Sequence, residues 1–184
     1  MRIISGQYKG RKLQAGQDLS IRPTTDRVKE FIFNVLQDFQ QDKVIADIFS
    51  GSGNLGFEAL SRGAKHVTFV EKNISSVNVL KKNIFTFSLD HSQYSIVHKT
   101  AEDFAKENHS EIELYFLDPP FIYPKLQDLI DSITNSANFL IGNLMVLEHE
   151  VSNPIEKESE YYTILKQKKM SRSLISFIEK RTQK

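Results

Sequence analysis

Two short segments contain glycines and side chains that could bind a ligand and catalyse its reaction. Residues 47–56 read DIFSGSGNLG and place an acidic residue and three glycines, Gly51, Gly53 and Gly56, directly after an apolar run. Glycines at this spacing let the backbone turn tightly and approach a ligand with no Cβ in the way. Residues 118–121 read DPPF and offer a carboxylate, outward carbonyls and an aromatic ring. Such a group suits a planar ligand that carries an amino group.

The context of the glycine motif predicts a nucleoside-bearing cofactor. The motif G-x-G-x-x-G follows a predicted strand, opens a predicted helix and is followed by Glu71 at the end of the next strand. A carboxylate at that position can accept hydrogen bonds from both hydroxyls of a ribose. This arrangement fits NAD as well as S-adenosylmethionine. The predicted cofactor contacts around the turn and the second strand are Gly51, Ser52, Gly53, Glu71 and Lys72.

Asp47 helps to distinguish between NAD and S-adenosylmethionine as the cofactor. A carboxylate on the strand before the turn would repel a nearby pyrophosphate, whereas it suits a sulfonium and an amino group, directly or through water. Asp47 is therefore also predicted to contact the cofactor, which favours S-adenosylmethionine. The alternative is a structural role, in which Asp47 caps the glycine turn.

The DPPF segment is predicted to be catalytic. The Asp118 carboxylate and the Pro119 carbonyl can orient an exocyclic amino group and withdraw density from its N–H bonds. Pro120 stiffens the loop, and Phe121 can stack on the ring, which is worth roughly 1–3 kcal/mol. A purely structural proline-rich loop is the alternative. With the glycine turn, these residues predict in-line methyl transfer to a nucleobase nitrogen, without a metal or a covalent intermediate.

The elements that must position these residues alternate between strands and helices. Periodicity predicts five strands of a parallel sheet at 44–49, 66–71, 94–98, 112–117 and 144–150, and helices at 55–60, 77–87, 101–106 and 126–133. Residues 161–165 and 174–178 are predicted to form an antiparallel pair. The expected fold is α/β and Rossmann-like, with a mostly parallel seven-stranded sheet, a C-terminal antiparallel strand pair and a small N-terminal β-hairpin extension.

The first 40 residues are predicted to form a separate module, followed by a catalytic domain over 41–184. Residues 2–5 and 11–13 can pair as a hairpin, with Gly6 and Gly10 in turn conformations. A helix follows, capped by Thr24 or Thr25. Its predicted apolar stripe consists of Val28, Phe31, Ile32, Val35 and Leu36.

Composition excludes some classes and leaves others open. Among 184 residues there is no cysteine, and the five histidines show no ligand spacing, so neither a disulfide framework nor a metal site is predicted. The formal net charge is +1, yet residues 1–30 carry a net charge of +4 and residues 166–184 carry +6. Basic ends could bind phosphates, or could merely keep the chain soluble. No apolar run has the length of a membrane span, so we expect a soluble cytoplasmic protein.

The chain resembles the bacterial 16S ribosomal RNA guanine-N2 methyltransferases almost from end to end. The specific blocks are MRIISGQYKGRKL at 1–13, RPTTDRVKE at 22–30 and FNVL at 33–36. The blocks at 47–64 and 117–121 are shared with many amino methyltransferases. The resemblance implies the class I methyltransferase fold, S-adenosylmethionine as cofactor and a monomer. It also implies that the substrate is one guanine N2 in 16S rRNA, within an assembled or assembling small subunit.

Further residues are assigned from this resemblance. It places Arg22, Thr24, Asp26 and Arg27 on the RNA side of the pocket. The phosphate contacts are expected on the hairpin, at Arg2, Lys9, Arg11 and Lys12, together with the loop that carries Arg22 and Arg27. Where relatives often have Asp or Asn near the adenine, this chain has Thr100, Ala101, Glu102 and Asp103. The adenine contact then falls to the Thr100 hydroxyl, the Ala101 backbone or a shifted carboxylate. Residues 169–172 also depart from the pattern, and their role stays open.

Three other classes remain. A nicotinamide-dependent oxidoreductase would share the glycine motif and the later acid but gives no reason for DPPF. An amino methyltransferase acting on DNA adenine or on a protein glutamine explains both motifs and fails only on the N-terminal blocks. A non-catalytic RNA-binding module would require a degenerate cofactor pocket, and no cofactor position is visibly broken.

Overall fold

A computed structural model describes residues 1–16, 24–157 and 159–181 of the chain. In the described residues, seven strands form one sheet in the order β3-β2-β1-β4-β5-β7-β6. The strands are β1 Val44–Ile48, β2 His66–Val70, β3 Tyr94–Val97, β4 Leu114–Leu117, β5 Leu144–Glu150, β6 Tyr162–Met170 and β7 Ser173–Lys180. The helices are α1 Asp26–Leu36, α2 Asn54–Ser61, α3 Ile74–Phe87, α4 Ala101–Ala105 and α5 Leu126–Asn135, with a 3₁₀ turn at His91–Gln93.

The sheet topology confirms the predicted fold class. Strands β1 to β5 are parallel, and β7 lies antiparallel between β5 and β6. Strands β6 and β7 extend beyond the predicted segments, and β6 contains an irregularity between Ile164 and Lys166. Because β1 to β5 all point the same way, the segments that follow them, including the glycine turn and DPPF, lie at one edge of the sheet.

Side chains alternate between the two faces of the sheet, and helices cover both. Leu114 and Phe116 of β4 belong to the hydrophobic core formed with α1, α2 and α3. Tyr115 and Leu117 belong to the core formed with α4 and α5. This double coverage is why the central strands are continuously apolar.

Helix α1 differs in part from its predicted stripe. Val28, Ile32 and Leu36 are buried as expected, whereas Phe31 and Val35 are only half-buried. Phe33 and Lys29 are buried as well. The face turned to the core is therefore rotated towards residues 29 and 33, because Phe33 packs on Phe116 of β4 with ring centroids 5.8 Å apart. Thr25 is the N-cap, and its side chain accepts a hydrogen bond from the Val28 amide.

The N-terminal hairpin forms and is anchored to α2. Arg2 and Lys12 are bridge partners, and Gly6 and Gly10 adopt φ angles of +79° and +84°. Both Glu58 carboxylate oxygens accept backbone amides of the hairpin, from Ile4 at 2.9 Å and from Ser5 at 3.1 Å. The predicted division at residue 40 stays a prediction, since α1 shares its core with the rest of the fold.

Lys29 contributes to the positive charge of residues 1–30, but it does not lie on the surface. Its side chain is fully buried and its Nζ lies 3.3 Å from Glu58 Oε2. It also donates to the Arg2 carbonyl. Burial lowers the pKa of Lys29, and the neighbouring Glu58 opposes that shift. Lys29 thus joins α1, α2 and the hairpin, and it contributes nothing to a phosphate-binding surface.

None of the helices in the described part of the chain is long and apolar enough to span a membrane.

Candidate active site

A cleft of about 610 Å³ opens at the carboxyl edge of the parallel strands. Four segments line it: the glycine turn, residues 71–73 and DPPF, which follow β1, β2 and β4, and residues 148–150, which end β5. Met1 and residues 15–16, at the two ends of the N-terminal hairpin, close one side. The cleft therefore joins the predicted cofactor and base-binding segments in one space, as expected for ligands of open α/β sheets.

The glycine turn has the tight geometry that its sequence predicts. Gly51 and Gly53 adopt φ angles of +54° and +87°. A Cβ built on Gly53 would lie 2.7 Å from the Phe57 ring, so a side chain there would displace the helix that follows. A Cβ on Gly51 would meet no atom closer than 4.0 Å. Gly51 thus leaves its side of the turn open, and it lines the cleft.

Glu71 is fixed by the backbone at the cleft wall. Its Oε2 accepts the Gly51 amide at 2.9 Å, and its Oε1 accepts the Asn73 amide at 2.7 Å. The residue is 9% exposed and lines the cleft. Each carboxylate oxygen can accept two hydrogen bonds, so one acceptor site per oxygen remains for a pair of ligand hydroxyls. Ser52 and Lys72 of the predicted cofactor set line the same cleft.

Asp47 lies beneath the turn rather than on the cleft surface. Its Oδ2 accepts the Gly56 amide at 2.9 Å, and the residue is 3% exposed. Burial raises the pKa of Asp47 to about 7, against the lowering effect of the Gly56 hydrogen bond. Asp47 is not among the residues that line the cleft, and its observed contact is the structural one considered as the alternative.

Thr100 and Ala101 also lie apart from the cleft lining. Thr100 caps α4, where its hydroxyl donates to Asp103 Oδ2 and accepts the Asp103 amide. Ala101 is buried on the face covered by α4 and α5. A ligand contact at either residue stays a prediction.

The DPPF segment lines the cleft over all four residues. Asp118 Oδ2 accepts a hydrogen bond from the Thr24 hydroxyl at 2.8 Å. Thr24 is 5% exposed, and the Asn54 side-chain amide donates to its carbonyl at 2.9 Å. Thr24, which stands immediately before the N-cap of α1, therefore helps to hold the orientation of the Asp118 carboxylate. Thr24 was predicted on the substrate side of the pocket, and it does line the cleft.

Phe121 contacts the turn between β6 and β7. The Arg172 guanidinium lies 5.6 Å from the Phe121 ring centroid and pairs with Glu150 Oε1 at 2.8 Å. Arg172 belongs to the stretch whose role the sequence left open. This contact shows that the stretch reaches the aromatic ring predicted to stack on the substrate.

The predicted RNA-contacting residues occupy different environments. Arg2 pairs with Asp26 at 2.8 Å on the surface, and Arg27 is exposed beside a second hollow. Lys9 and Lys12 are exposed as well. Arg11 donates to the Thr86 carbonyl, and its guanidinium lies 4.2 Å from the Phe87 ring centroid, so this side chain is engaged within the protein. Arg22 lies outside the described residues.

Sequence reasoning missed the contribution of β5 to the cleft. Glu148, His149 and Glu150 all line it. Burial lowers the pKa of His149, whose Nδ1 donates to the Asn153 carbonyl at 2.9 Å. The signal was available, because an acidic cluster ends a parallel strand at the same edge as the two recognised motifs.

The cleft is strongly acidic. Its described lining carries four carboxylates and one lysine, and burial lowers the pKa of His149. The carboxylates belong to Glu71, Asp118, Glu148 and Glu150. This charge favours a cationic ligand and opposes a pyrophosphate.

The fold and this cleft define a Rossmann-like methyltransferase. The solved structure of yhhF from Escherichia coli, described as a methyltransferase, has a TM-score of 0.87 and 31% sequence identity, with 100% of this chain and 99% of that chain covered. The chain belongs to the family described as conserved hypothetical protein 95, whose sequence model matches residues 1–179.

Curated relatives agree with the resemblance seen in the sequence. Ribosomal RNA small subunit methyltransferase D of Haemophilus influenzae is 40% identical over 171 residues, which cover 91% of this chain and 88% of the relative. The protein of the same name from Escherichia coli K12 is 36% identical over 153 residues, which cover 83% of this chain and 76% of the relative. These matches confirm the family resemblance.

Proposed function

We propose that this protein transfers a methyl group from S-adenosylmethionine to the exocyclic N2 of one guanine in 16S rRNA. The substrate is the rRNA within the small ribosomal subunit, and the enzyme acts as a cytoplasmic monomer. The observation that carries the proposal is that Gly51, Glu71 and the DPPF segment line the same cleft. The names of the relatives, rRNA small subunit methyltransferases, support the same substrate class.

The cleft residues fit S-adenosylmethionine. The Glu71 carboxylate keeps one acceptor per oxygen for the ribose hydroxyls, and Gly51 leaves the backbone open to a close approach. The acidic lining suits the sulfonium and the ammonium of this cofactor. When bound, the cofactor supplies an electrophilic methyl group on sulfur. The same acidic lining argues against NAD, whose pyrophosphate is an anion.

Asp118 and the prolines would hold the amino group that accepts the methyl. A guanine N2 has two N–H bonds and a lone pair delocalised into the ring. It therefore needs to be oriented, and it needs acceptors that attract its N–H protons and leave electron density on the nitrogen. The Asp118 carboxylate accepts one N–H, and the Pro119 carbonyl offers a second acceptor. As the N2–methyl bond forms and the sulfur–methyl bond of the cofactor breaks to leave a neutral thioether, N2 would lose one proton to these acceptors or to water. An amino group paired inside a helix could not reach them, so the guanine must be unpaired or flipped out.

The test is methyl transfer to small subunits taken from a strain that lacks this protein. We expect tritium from labelled S-adenosylmethionine in 16S rRNA, and N2-methylguanosine as the labelled nucleoside after digestion. D118N should lower kcat by about 100-fold or more, because it removes the charge that stabilises the transition state. D38N changes an exposed aspartate outside the cleft and is the matched control.

Label in adenosine, or in protein alone, would overturn the assignment of the acceptor. Undiminished turnover by D118N would overturn the role of Asp118. S-Adenosylmethionine affinity, measured by calorimetry, separates a damaged fold from damaged chemistry, since we expect D118N to keep it.

A further inference from the structure

A second hollow of about 540 Å³ lies between the start of α1 and the β6–β7 hairpin. Its wall on α1 includes Arg27, Phe31 and Asn34, and its wall on β6 includes Lys168 and Lys169. We call this hollow the basic groove. The two walls are more than 130 positions apart in sequence. They meet because α1 packs on the C-terminal hairpin, with the Phe31 and Phe177 ring centroids 6.1 Å apart.

The cations of the basic groove are available to a ligand. Arg27, Lys168 and Lys169 are exposed. None of the three forms an ion pair with another described residue, whereas Lys29, Lys43, Arg62 and Lys99 all do. Two acids, Glu30 and Glu148, also line the groove, which leaves an excess of positive charge. Exposed cations spaced along a groove are the usual contacts of nucleic-acid phosphates.

The basic groove is continuous with the cleft. Glu148 and Ser173 line both, and the neighbouring residues Thr24 and Thr25 line one each. At the same boundary, Arg172 in the β6–β7 turn lies over Phe121 and pairs with Glu150. A strand that places one base in the cleft must pass its adjoining backbone over the rim. On this side, the rim leads into the groove.

We infer that the basic groove binds the phosphodiester backbone of the RNA strand next to the methylated nucleotide, with Lys168 and Lys169 as phosphate contacts. This inference rests on the proposed function and extends the RNA surface to the C-terminal hairpin. Residues 169–172, which depart from the family pattern, would then help to bind the RNA backbone. The half-buried Phe31 lines the same groove, and Lys166 Nζ lies 5.8 Å from its ring centroid.

The charge-reversal variant K168E/K169E tests the groove. We expect the KM for small subunits to rise about tenfold, while calorimetric affinity for S-adenosylmethionine stays unchanged. Binding of a fluorescein-labelled single-stranded oligoribonucleotide should weaken similarly, and its logarithmic salt slope should fall by roughly 1 to 2. K168R/K169R should keep wild-type values, because it preserves both charges.

The matched control is K65E/K81E, which makes the same change in net charge at exposed lysines that line neither the cleft nor the groove. It should change neither the KM nor the salt slope. If the wild type is active and K168E/K169E has an unchanged KM and salt slope, the basic groove does not bind the RNA backbone. The proposed function would still stand. If the wild type transfers no methyl group to rRNA, the proposed function itself fails. Thermal unfolding of each variant shows whether its fold is retained.

Discussion

At the scale of single residues, the Thr24 hydroxyl is a direct hydrogen-bond partner of Asp118 and helps to orient its carboxylate. The two residues are 94 positions apart, and the hydrogen bond between them is 2.8 Å long. Thr24 stands immediately before the N-cap of α1, so the start of that helix and the DPPF segment meet at the cleft. A catalytic carboxylate needs such a partner because methyl transfer depends on the alignment of the acceptor amino group.

We predict that T24V, which keeps the shape and removes the hydroxyl, lowers kcat for rRNA methylation by about tenfold. A hydrogen bond to a charged group contributes about 1.5–3 kcal/mol, and part of this should appear as misalignment of Asp118. The affinity for S-adenosylmethionine should stay the same. T163V alters an exposed threonine on β6 and serves as control. Equal kcat values for T24V and T163V would contradict the role assigned to Thr24.

Asp47 gives the fold a pH dependence of known sign. Its pKa is raised by burial from 3.8 to about 7, so the folded protein holds this proton between those values while the unfolded chain has released it. The free energy of unfolding must therefore fall as pH rises from about 4 to about 7.

We predict that D47N removes this contribution, because asparagine cannot ionise and its side-chain oxygen can still accept the Gly56 amide. Between pH 5 and pH 8, the wild type should lose on the order of 2 kcal/mol more unfolding free energy than D47N does. Urea unfolding at a series of pH values measures the difference. Parallel profiles for the two proteins would show that Asp47 is already ionised in the folded state.

At the scale of elements, the N-terminal hairpin docks through its backbone onto α2. The Gln7 amide donates to the Ser61 carbonyl at 2.8 Å, and the Tyr8 amide donates to Ser61 Oγ at 2.9 Å. Gly6 lies directly against the same residue, where a Cβ would come within 1.8 Å of the Ser61 carbonyl oxygen. The hairpin brings Met1 to the cleft, so its docking shapes the site.

We predict that G6A destabilises the protein by about 3 kcal/mol or more and weakens cofactor binding, because the hairpin must lift from α2. G10A is the matched control. It has nearly the same positive φ, yet its Cβ would meet no atom within 4 Å. Only the backbone strain of about 1–2 kcal/mol should remain there. Equal unfolding free energies for the two variants, measured in urea, would contradict tight docking of the hairpin.

A second element-scale prediction concerns the buried Lys29–Glu58 pair. E58A should lower the unfolding free energy by about 3–5 kcal/mol, because it leaves the Lys29 charge buried without its partner. The same change removes the Arg62 ion pair and the acceptor of the Ile4 and Ser5 amides. E113A removes the partner of Lys43 in a pair that is roughly one-third exposed, so its effect should be about 1 kcal/mol or less. Urea unfolding of both variants provides the measurement. Similar losses would mean that burial does not distinguish the two pairs.

At the scale of the whole molecule, the acidic cleft combines groups from the ends of four strands, while the basic groove combines α1 with the C-terminal hairpin. A net charge of +1 gives no hint of this separation. The two neighbouring surfaces suit two ligands of opposite charge, a cationic cofactor and a polyanionic substrate.

We predict that calorimetry detects binding of S-adenosylmethionine and none of NAD at the same concentrations. The carboxylates of Glu148 and Glu150 at the end of β5 should repel the pyrophosphate of NAD. E71Q should weaken S-adenosylmethionine binding by about tenfold, because a neutral amide is a poorer acceptor for the ribose hydroxyls. Tight NAD binding would contradict the charge argument.

Local sequence patterns are sufficient to predict the order of the elements, the fold class and the meeting of the glycine turn, Glu71 and DPPF at one edge. They are sufficient because the carboxyl ends of parallel strands share an edge, and because glycine, proline and apolar periodicity act locally. The tertiary structure alone decided where individual side chains point. It buried Lys29 against Glu58, turned Asp47 towards Gly56 and placed Thr24 beside Asp118. It also brought Lys168 beside Arg27. Each of these depends on packing between segments far apart in the chain, which local patterns do not encode.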